Sequence, residues 1–492
     1  MELPRPRPLS GPVVGCGSLG VLPLVALGAA GVVGTSWIYT NGEFFARYGA
    51  GGEIFGLVVA ALLASTVAMA YAELAAALQR AGGEVVYAYT AFGRRTAFAA
   101  GWLLIGAYVS SLAFYVTAFG SLLSDVLPGL RTVELYRVSG EPVFLPVLAL
   151  GVALAVVVFA LTWVRAALGA RAQVLLLAVM LVLGAALVVV GLTTGSPSNF
   201  WPPYAEGSRP VAETLRFVLP GLTFLTGFGL VAVLAEDADL TPRRLGRVVV
   251  TCVLVAAGFY VLVLLSSAWV IPWERTAELP NGTIDAFREA DFPVLGGAAY
   301  AIAVLGLLTS FLALFLASSR IVLAMGRAGL LPRALGRLTG PRSTPGPALV
   351  FTLVVTVALG SLGEAATTWF LDTGGVYIGL AWALAVASMY RLPRRYPRLE
   401  RPYRPRLRWA PALGAAAAVG VIAFALYPGT SLSLVWPQEH AVLAAWVLLG
   451  LVLLPLARGD DDAARRELLG PLHEQLGGSR ADDGSRGPRE RG

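Results

Sequence analysis

Two apolar stretches of the chain carry poor helix formers at positions where a membrane helix would be expected to continue. The first, GAAGVVGTSW at 28–37, combines glycines with two hydroxyl residues: Gly28, Gly31, Gly34, Thr35 and Ser36. The second, LPGLTFLTGFGLVAVLAE at 219–236, contains Pro220, Gly221, Gly227 and Gly229. Glycine costs about 1 kcal/mol relative to alanine in a helix interior, so both stretches favour an interruption of the helix.

Such interruptions create binding chemistry without any charged side chain. A helix that breaks inside a membrane exposes N–H groups where one half begins and C=O groups where the other half ends, and these groups must line a polar cavity. The N–H end attracts a carboxylate, and the carbonyl end suits an ammonium group. The pattern therefore predicts a site for a small zwitterion such as an amino acid.

Close helix packing is the alternative interpretation of these glycines, because small residues let membrane helices approach each other. Four other glycines are interpreted in this way: Gly101, Gly106, Gly120 and Gly151. For Gly31 and Gly34 taken alone, packing and binding are balanced. The matching interruption in the second stretch favours a binding site, since paired interrupted spans point to the site of a transporter built from inverted repeats.

The composition places both stretches in a polytopic helical membrane protein. Of the 492 residues, 57% are apolar and 14% are charged, and the mean hydropathy is +0.72. Long apolar runs recur along the chain, whereas the alternating segments of a membrane β-barrel do not. All 37 basic side chains are arginine. The cysteines, Cys16 and Cys252, are interpreted as small apolar residues rather than a disulfide or metal pair.

Hydropathy predicts twelve spans: 17–40, 52–79, 97–127, 144–164, 172–194, 213–236, 246–271, 294–326, 347–363, 366–390, 409–428 and 438–457. Most arginines lie in segments that would face one side, which the positive-inside rule makes cytoplasmic. We therefore expect a plasma-membrane protein with both termini, 1–16 and 458–492, in the cytoplasm. The C-terminal segment should form a short amphipathic piece followed by a largely disordered tail.

Four motifs, in order along the chain, resemble those of the amino acid–polyamine–organocation transporter superfamily. They are VVGTSWI (32–38), YAELAAALQRAGGEVVYAYTAFG (71–93), TFLTGFGLVAVLAEDADLTPRR (223–244) and ASSRIVLAMGRAGLLPRAL (317–335). The resemblance implies the all-α leucine-transporter fold, with two inverted five-helix repeats at 17–194 and 213–390 and two further helices at 409–457. It also implies a substrate held between the interruptions of the first and sixth helices.

Carried over by motif position, the resemblance assigns two sets of substrate-binding residues. Gly34, Thr35 and Ser36, after Gly31, would meet the substrate carboxylate. The sixth-helix side would comprise Thr223, Phe224, Thr226, Gly227 and Phe228, with backbone carbonyls taking the amino group. Relatives often place an aromatic residue near Thr223 that covers the substrate. This chain has threonine there and Phe224 beside it, so the sequence does not decide which residue forms the lid. Ser36 also adds a side chain where relatives have glycine.

The sequence does not identify the ion whose gradient would drive transport. Some relatives carry a lysine on the fifth helix, but this chain has Met180 near that place, which excludes a lysine-based proton switch. Carboxylates inside a membrane are costly and point to function, which makes Asp372 a candidate, with helix capping as the alternative. Thr309 and Ser310 offer hydroxyls for a sodium site, or simply pack.

Charged residues at the predicted cytoplasmic ends of the spans are candidates for an inner gate. Glu73, Glu84 and Glu236 could form salt bridges with Arg243 and Arg320 that break on opening; solvated surface charge is the alternative. Tyr108 and Tyr115 on the third span either reach the cavity or pack as ordinary aromatic residues.

These observations predict a secondary active transporter for an amino acid or related amine that works by alternating access in the lipid bilayer. Proton symport is the first expectation for coupling, followed by exchange and by sodium. A sensor that binds without transport and an intramembrane enzyme are the rival classes; only two histidines, His440 and His473, are available to an enzyme. No cofactor, metal or nucleic acid is expected, and the oligomeric state is open.

Overall fold

The computed structural model describes residues 28–29, 32–34, 36–78, 80, 82–164, 170–229, 241–340, 343–457 and 461–470. The first half contains α1 (Ser36–Tyr39), α2 (Asn41–Ala77), α3 (Glu84–Phe92), α4 (Arg94–Val126), α5 (Leu145–Trp163), α6 (Ala170–Thr194), α7 (Pro210–Arg216) and α8 (Val218–Phe224). The second half contains α9 (Pro242–Val270), α10 (Trp273–Ala277), α11 (Thr283–Glu289), α12 (Pro293–Arg327), α13 (Gly346–Gly360), α14 (Thr367–Arg395), α15 (Ala410–Leu426), α16 (Gln438–Leu453) and α17 (Asp461–Leu469).

Seven of the described helices are long and apolar enough to cross a membrane. They are α2, α4, α5, α6, α9, α12 and α14, and three shorter helices, α13, α15 and α16, are also apolar. Both the composition and these helices identify a polytopic helical membrane protein.

Helix α2 differs from its predicted boundaries. The sequence placed a loop between spans ending at 40 and starting at 52, but residues 41–48 are helical and the chain turns at Gly49 instead. Gly49 has φ +74°, a conformation that favours glycine. A side chain there would also press against the backbone of Pro203 and Tyr204, so the turn fixes how α2 meets the segment before α7.

Helix α4 lies at the centre of the bundle and packs against α5, α12, α13 and α14. It also joins α16 through two indoles that stack with ring centroids 4.3 Å apart. Trp102 Nε1 donates to the carbonyl of Trp446 at 3.0 Å, and Trp446 Nε1 donates back to the carbonyl of Trp102 at 3.2 Å. The glycines next to these rings, Gly106 and Gly450, leave the space that the indoles fill.

At the arginine-rich end of the molecule, α3 contacts both the last turns of α14 and the short helix α17. Arg80 donates to the carbonyl of Glu467 at 3.3 Å, and the Tyr89 hydroxyl donates to the carbonyl of Asp461 at 3.0 Å. The apolar face of α17, with Ala464, is buried. The chain after residue 470 lies outside the described residues.

The opposite end contains small elements between the predicted spans. Strands β1 (Glu134–Val138) and β2 (Glu141–Phe144) form an antiparallel hairpin with Glu134 opposite Phe144 and Val138 opposite Glu141. Helices α10 and α11 occupy the predicted loop between the seventh and eighth spans.

Gly151 provides a stability test of glycine-mediated packing. A Cβ atom at this position would overlap the carbonyl oxygen of Val116 on α4, whereas Gly420 on α15 has open space around it. We expect Gly151→Ala to lower the free energy of unfolding by about 1–3 kcal/mol through overpacking. Gly420→Ala should instead be neutral or stabilising by up to about 1 kcal/mol. Thermal unfolding of both variants in one detergent makes the comparison, and equal stabilities would contradict it.

Candidate functional site

The first apolar stretch is interrupted where its glycines suggested. Val32 is helical, Val33 and Gly34 are not, and α1 begins at Ser36. The Gly34 N–H donates to the carbonyl of Val32 at 2.8 Å, two residues back, instead of making the helical bond four residues back.

Side chains donate hydrogen bonds to the backbone carbonyls at this interruption. The Tyr260 hydroxyl on α9 donates to the carbonyl of Val32, and Ser310 Oγ on α12 donates to the carbonyl of Val33 at 3.0 Å. Trp37 Nε1 donates to the carbonyl of Gly34 at 2.8 Å. Buried carbonyls that lose their helical donors need replacements, and here three successive ones receive them from α9, α12 and α1.

Gly34 is closely surrounded. A Cβ atom on it would overlap the Tyr115 hydroxyl on α4. Its carbonyl lies so near Gly306 on α12 that a Cβ there would come within 2.9 Å of the oxygen. Glycine is therefore the residue that fits at both positions.

The second stretch is interrupted after α8. The helix ends at Phe224 and the chain continues as a 3₁₀ turn, Thr226–Gly229. Thr223 Oγ1 donates to the carbonyl of Leu371 on α14 at 2.6 Å, while Thr226 Oγ1 donates to the carbonyl of Leu222 at 3.3 Å. The end of α8 is thus tied to α14.

A small cavity of about 10 Å³ lies between the two interruptions, with room for about one water molecule. Its described lining comprises Val32, Ser111, Phe114, Tyr115, Thr223, Phe224, Thr226, Leu314 and Leu371. An amino acid is larger than this space, so its entry requires the surrounding helices to separate. None of these lining residues carries a charge.

The structure brings together some of the predicted site residues and not others. Thr223, Phe224 and Thr226 line the cavity. Gly34 does not line it but lies against Tyr115, which does. Phe228 points elsewhere and packs its ring against those of Tyr71 and Trp382, with centroids 5.2 and 5.0 Å away. Gly227 is buried without lining the cavity. Gly31 and Thr35 lie outside the described residues, and Ser36 is the first residue of α1.

Sequence reasoning missed most of the wall contributed by α4, α12 and α14. Ser111, Phe114 and Tyr115 occur at helical spacing on one face of α4, and only Tyr115 had been considered. That spacing is a usable signal, since residues three and four apart share a helix face. Leu314 and Leu371 carry no comparable signal in an apolar span.

Comparison with known proteins assigns the family. Residues 19–453 match the amino acid permease family. The branched-chain amino acid permease BcaP of Lactococcus lactis subsp. cremoris is 26% identical over 446 residues, covering 87% of this chain and 92% of that protein. The methylthioribose transporter of Bacillus subtilis is 22% identical over 392 residues, covering 79% and 83%, and the human cationic amino acid transporter 4 is 24% identical over 320 residues, covering 63% and 50%.

The chain belongs to the amino acid permease family. Its relatives are transporters, and the permease is accordingly a transporter and not an enzyme.

Asp372 lies inside helix α14 of the permease, not at its cap. The helix begins at Thr367, five residues earlier, and the Asp372 side chain lies near that of Glu439 at the start of α16. Asp372 is 8% exposed and Glu439 is fully buried. Glu439 accepts the Val435 N–H at 2.7 Å, and Arg47 lies near enough to act electrostatically on both carboxyl groups.

The hydroxyls considered for sodium differ in position. Thr309 Oγ1 donates to the carbonyls of Leu305 and Gly306 in its own helix, at 2.8 and 3.1 Å. Ser310 instead reaches the first interruption through the carbonyl of Val33.

Glu73 pairs with a partner that the sequence analysis did not name. Its Oε1 lies 3.2 Å from Arg401 Nη1, in the segment between α14 and α15, rather than pairing with Arg243 or Arg320. Arg243 Nε donates to the carbonyl of Pro402 at 3.0 Å, so both residues hold the same segment. Nothing in the sequence distinguishes Arg401 from the other arginines around it as the partner of Glu73. Glu236 lies outside the described residues.

Glu84, the first residue of α3, is fully enclosed close to the second interruption. The Tyr71 hydroxyl donates to its Oε1 at 2.6 Å, and that oxygen lies 3.2 Å from where a Cβ on Gly229 would be. Burial raises the pKa of the Glu84 carboxyl to about 7, an effect that the hydrogen bond from Tyr71 only partly opposes.

The raised pKa of Glu84 predicts a pH dependence of stability. Between the usual glutamate pKa of 4.5 and about 7, the folded permease binds a proton that the unfolded chain releases, so stability falls as pH rises through this window. We expect the melting temperature of the wild type to fall over this window relative to that of Glu84→Gln, which cannot ionise. The exposed Glu278→Gln is the matched control, and its curve should run parallel to that of the wild type. Parallel curves for Glu84→Gln would refute the assignment.

Proposed function

We propose that the permease is a secondary active transporter that moves an amino acid, or a related amine, across the plasma membrane by alternating access. The observation that carries the proposal is the cavity enclosed between two interrupted helices, with Val32 on one side and Thr223 on the other. Paired interruptions of this kind suit a site that opens to either side in turn.

The leucine-transporter fold of twelve helices is part of this proposal. It assigns 17–194 and 213–390 to two inverted repeats and 409–457 to two added helices. The long or apolar described helices lie at or near predicted spans, which supports the assignment; they are α2, α4, α5, α6, α9, α12, α13, α14, α15 and α16. The arginine-rich end would then face the cytoplasm, with both termini on that side.

An amino acid with an uncharged side chain is the substrate that this cavity suits best. Its described walls offer apolar surface and the hydroxyls of Ser111, Tyr115, Thr223 and Thr226. A charged substrate side chain would meet no opposite charge there, which would make its burial costly. The branched-chain permease among the relatives is named for substrates of this type.

Backbone groups would hold the ends of the substrate. N–H groups at the start of α1, after Gly34, would suit the carboxylate, and carbonyls in the second interruption would suit the ammonium group. The substrate would have to displace lining side chains such as Phe224 and Tyr115, because the cavity of about 10 Å³ is too small to hold it.

Proton coupling is proposed for the pair Asp372 and Glu439. Two carboxylates facing each other in a low dielectric cannot both ionise at small cost, so the pair would retain one proton. Arg47, which pairs with Glu43 at 2.7 Å, is placed to favour loss of that proton when it approaches. Exchange is the alternative; the contact between Ser310 and the Val33 carbonyl supports sodium as another.

The binding site is tested by a bulky substitution at Gly34. Gly34→Leu presses against the Tyr115 hydroxyl, so its melting temperature without ligand should fall, and a cooperative melt shows that the variant still folds. The folded variant should lose the thermal stabilisation by amino acids and their uptake into proteoliposomes, with affinity reduced at least about tenfold, or 1.4 kcal/mol. The control is Gly297→Leu on α12, where the added side chain meets open space.

Three outcomes of this experiment separate the rival functions. Uptake by the wild type and the control, absent from Gly34→Leu, supports the proposal. Stabilisation by amino acids without accumulation or exchange would indicate a sensor instead. Unchanged stabilisation of Gly34→Leu would contradict the placement of the site.

Coupling is tested by neutral replacements in the carboxyl pair. Asp372→Asn and Glu439→Gln should each abolish accumulation driven by an inward proton gradient while leaving exchange of labelled for unlabelled substrate. Exposed Glu278→Gln, at the same end of the molecule, should keep both activities. Gradient-driven accumulation that persists in both pair variants would exclude this site for the proton.

A further inference from the structure

A recess at the arginine-rich end lies apart from the substrate cavity. It has a volume of about 770 Å³ and is lined by Phe92 at the end of α3 and by one face of the last turns of α14: Ala387, Tyr390, Arg391, Arg394 and Arg395. Three guanidinium groups therefore border one opening, at the end of a membrane-spanning helix.

Two of these guanidinium groups are held side by side. Arg391 Nε and Arg395 Nη1 both donate to the carbonyl of Ala91, each at 3.0 Å. The Arg391 guanidinium also lies 5.0 Å from the ring centre of Phe92. These contacts fix the positions of two like charges that would otherwise move apart, and each guanidinium keeps most of its five N–H donors for other partners.

No acidic side chain in the described part of the chain pairs with these arginines. Arg394 is exposed and makes no hydrogen bond or ion pair within the described residues. Three positive charges are thus gathered without a counter-charge from the described protein, which favours an anion with several oxygen acceptors. Guanidinium groups match phosphate oxygens in this way.

The rest of the lining restricts the anion further. Phe92 is 36% exposed beside the arginines, and Ala387 and the Tyr390 ring continue this apolar surface along α14. The Tyr390 hydroxyl donates a hydrogen bond to the carbonyl of Arg408, so Tyr390 presents its ring to the recess. A ligand that suits this lining has a phosphate at one end and an apolar portion running along the helix.

We propose that this recess binds the headgroup of an anionic phospholipid. Arg391, Arg394 and Arg395 hold the phosphate, and the glycerol and upper acyl chains lie against Phe92 and Tyr390. Phospholipids surround the end of a spanning helix at the depth of their headgroups, and basic recesses between helices suit anionic ones.

The bound lipid stabilises the contact between α3 and α14. It neutralises the two guanidinium groups that share the Ala91 carbonyl and so removes their mutual repulsion. Helix α3 also carries Glu84, which lies against Gly229 of the second interruption. The lipid therefore acts on a helix that lies against the second interruption.

The test uses the full-length protein in detergent and phosphatidylglycerol as the probe. Native mass spectrometry counts retained lipid, and thermal unfolding measures stabilisation; phosphatidylcholine, glycerol phosphate and inorganic phosphate are compared in parallel. We expect stabilisation by phosphatidylglycerol alone, and apparent affinity reduced at least about tenfold in the triple variant Arg391→Gln, Arg394→Gln, Arg395→Gln.

The matched control removes the same charge from exposed arginines of the neighbouring segment, with Arg404→Gln, Arg406→Gln and Arg408→Gln. This control should bind lipid as the wild type does. The single variant Arg394→Gln, which removes no protein contact, should weaken binding in the same direction even if the triple variant folds poorly.

Several outcomes would overturn the proposal. Equal losses in the two triple variants would show attraction by net charge rather than a site. Stabilisation by inorganic phosphate or glycerol phosphate equal to that by the lipid would show a site for a free phosphate. Equal binding of phosphatidylcholine, or wild-type binding by Arg394→Gln, would show that the arginines do not select the ligand.

Discussion

A backbone carbonyl inside a bilayer has no water from which to accept a hydrogen bond, so a broken membrane helix must find its donors within the protein. This constraint organises the centre of the permease. The carbonyls of Val32, Val33 and Gly34 receive donors from Tyr260, Ser310 and Trp37, which come from different helices. The bonds from Tyr260 and Ser310 are therefore also contacts with other helices, whereas the bond from Trp37 is local. The interruption that creates the candidate site is the feature that joins α9 and α12 to the first stretch.

The second interruption is joined to the bundle at fewer points. Thr223 donates to the carbonyl of Leu371, whereas Thr226 bonds within its own stretch. Gly375 extends this contact, because its backbone lies against the carbonyl of Leu219 where no Cβ would fit. The α8 end is consequently fixed to α14, and the first stretch is fixed to α9 and α12. The two interruptions are therefore held by different helices.

The sequence predicted those features that depend on local chemistry. Glycine and hydroxyl residues marked both interruptions, because their cost in a helix is visible without knowing the neighbours. The partners were not predictable in the same way. Tyr260 and Arg401 are distant in sequence from their partners Val32 and Glu73. The chain contains many other tyrosines and arginines that could equally have been those partners. Glu439 was missed because it stands at the start of a helix, where a carboxylate is ordinarily a solvated residue favoured by the helix dipole.

Because Glu439 is buried close to it, Asp372 is one member of a carboxyl pair and not an isolated acid. A single buried acid beside the candidate cavity would be explained by packing alone, but two neighbouring carboxyl groups impose a choice of which is charged. Leu371, the residue before Asp372, lines the cavity and accepts the Thr223 hydroxyl through its carbonyl. A movement of α8 that breaks this bond therefore acts on the backbone directly beside the carboxyl pair. The geometry offers a short mechanical connection between substrate entry and the position of Asp372 relative to Glu439, without any charged residue in the described cavity wall.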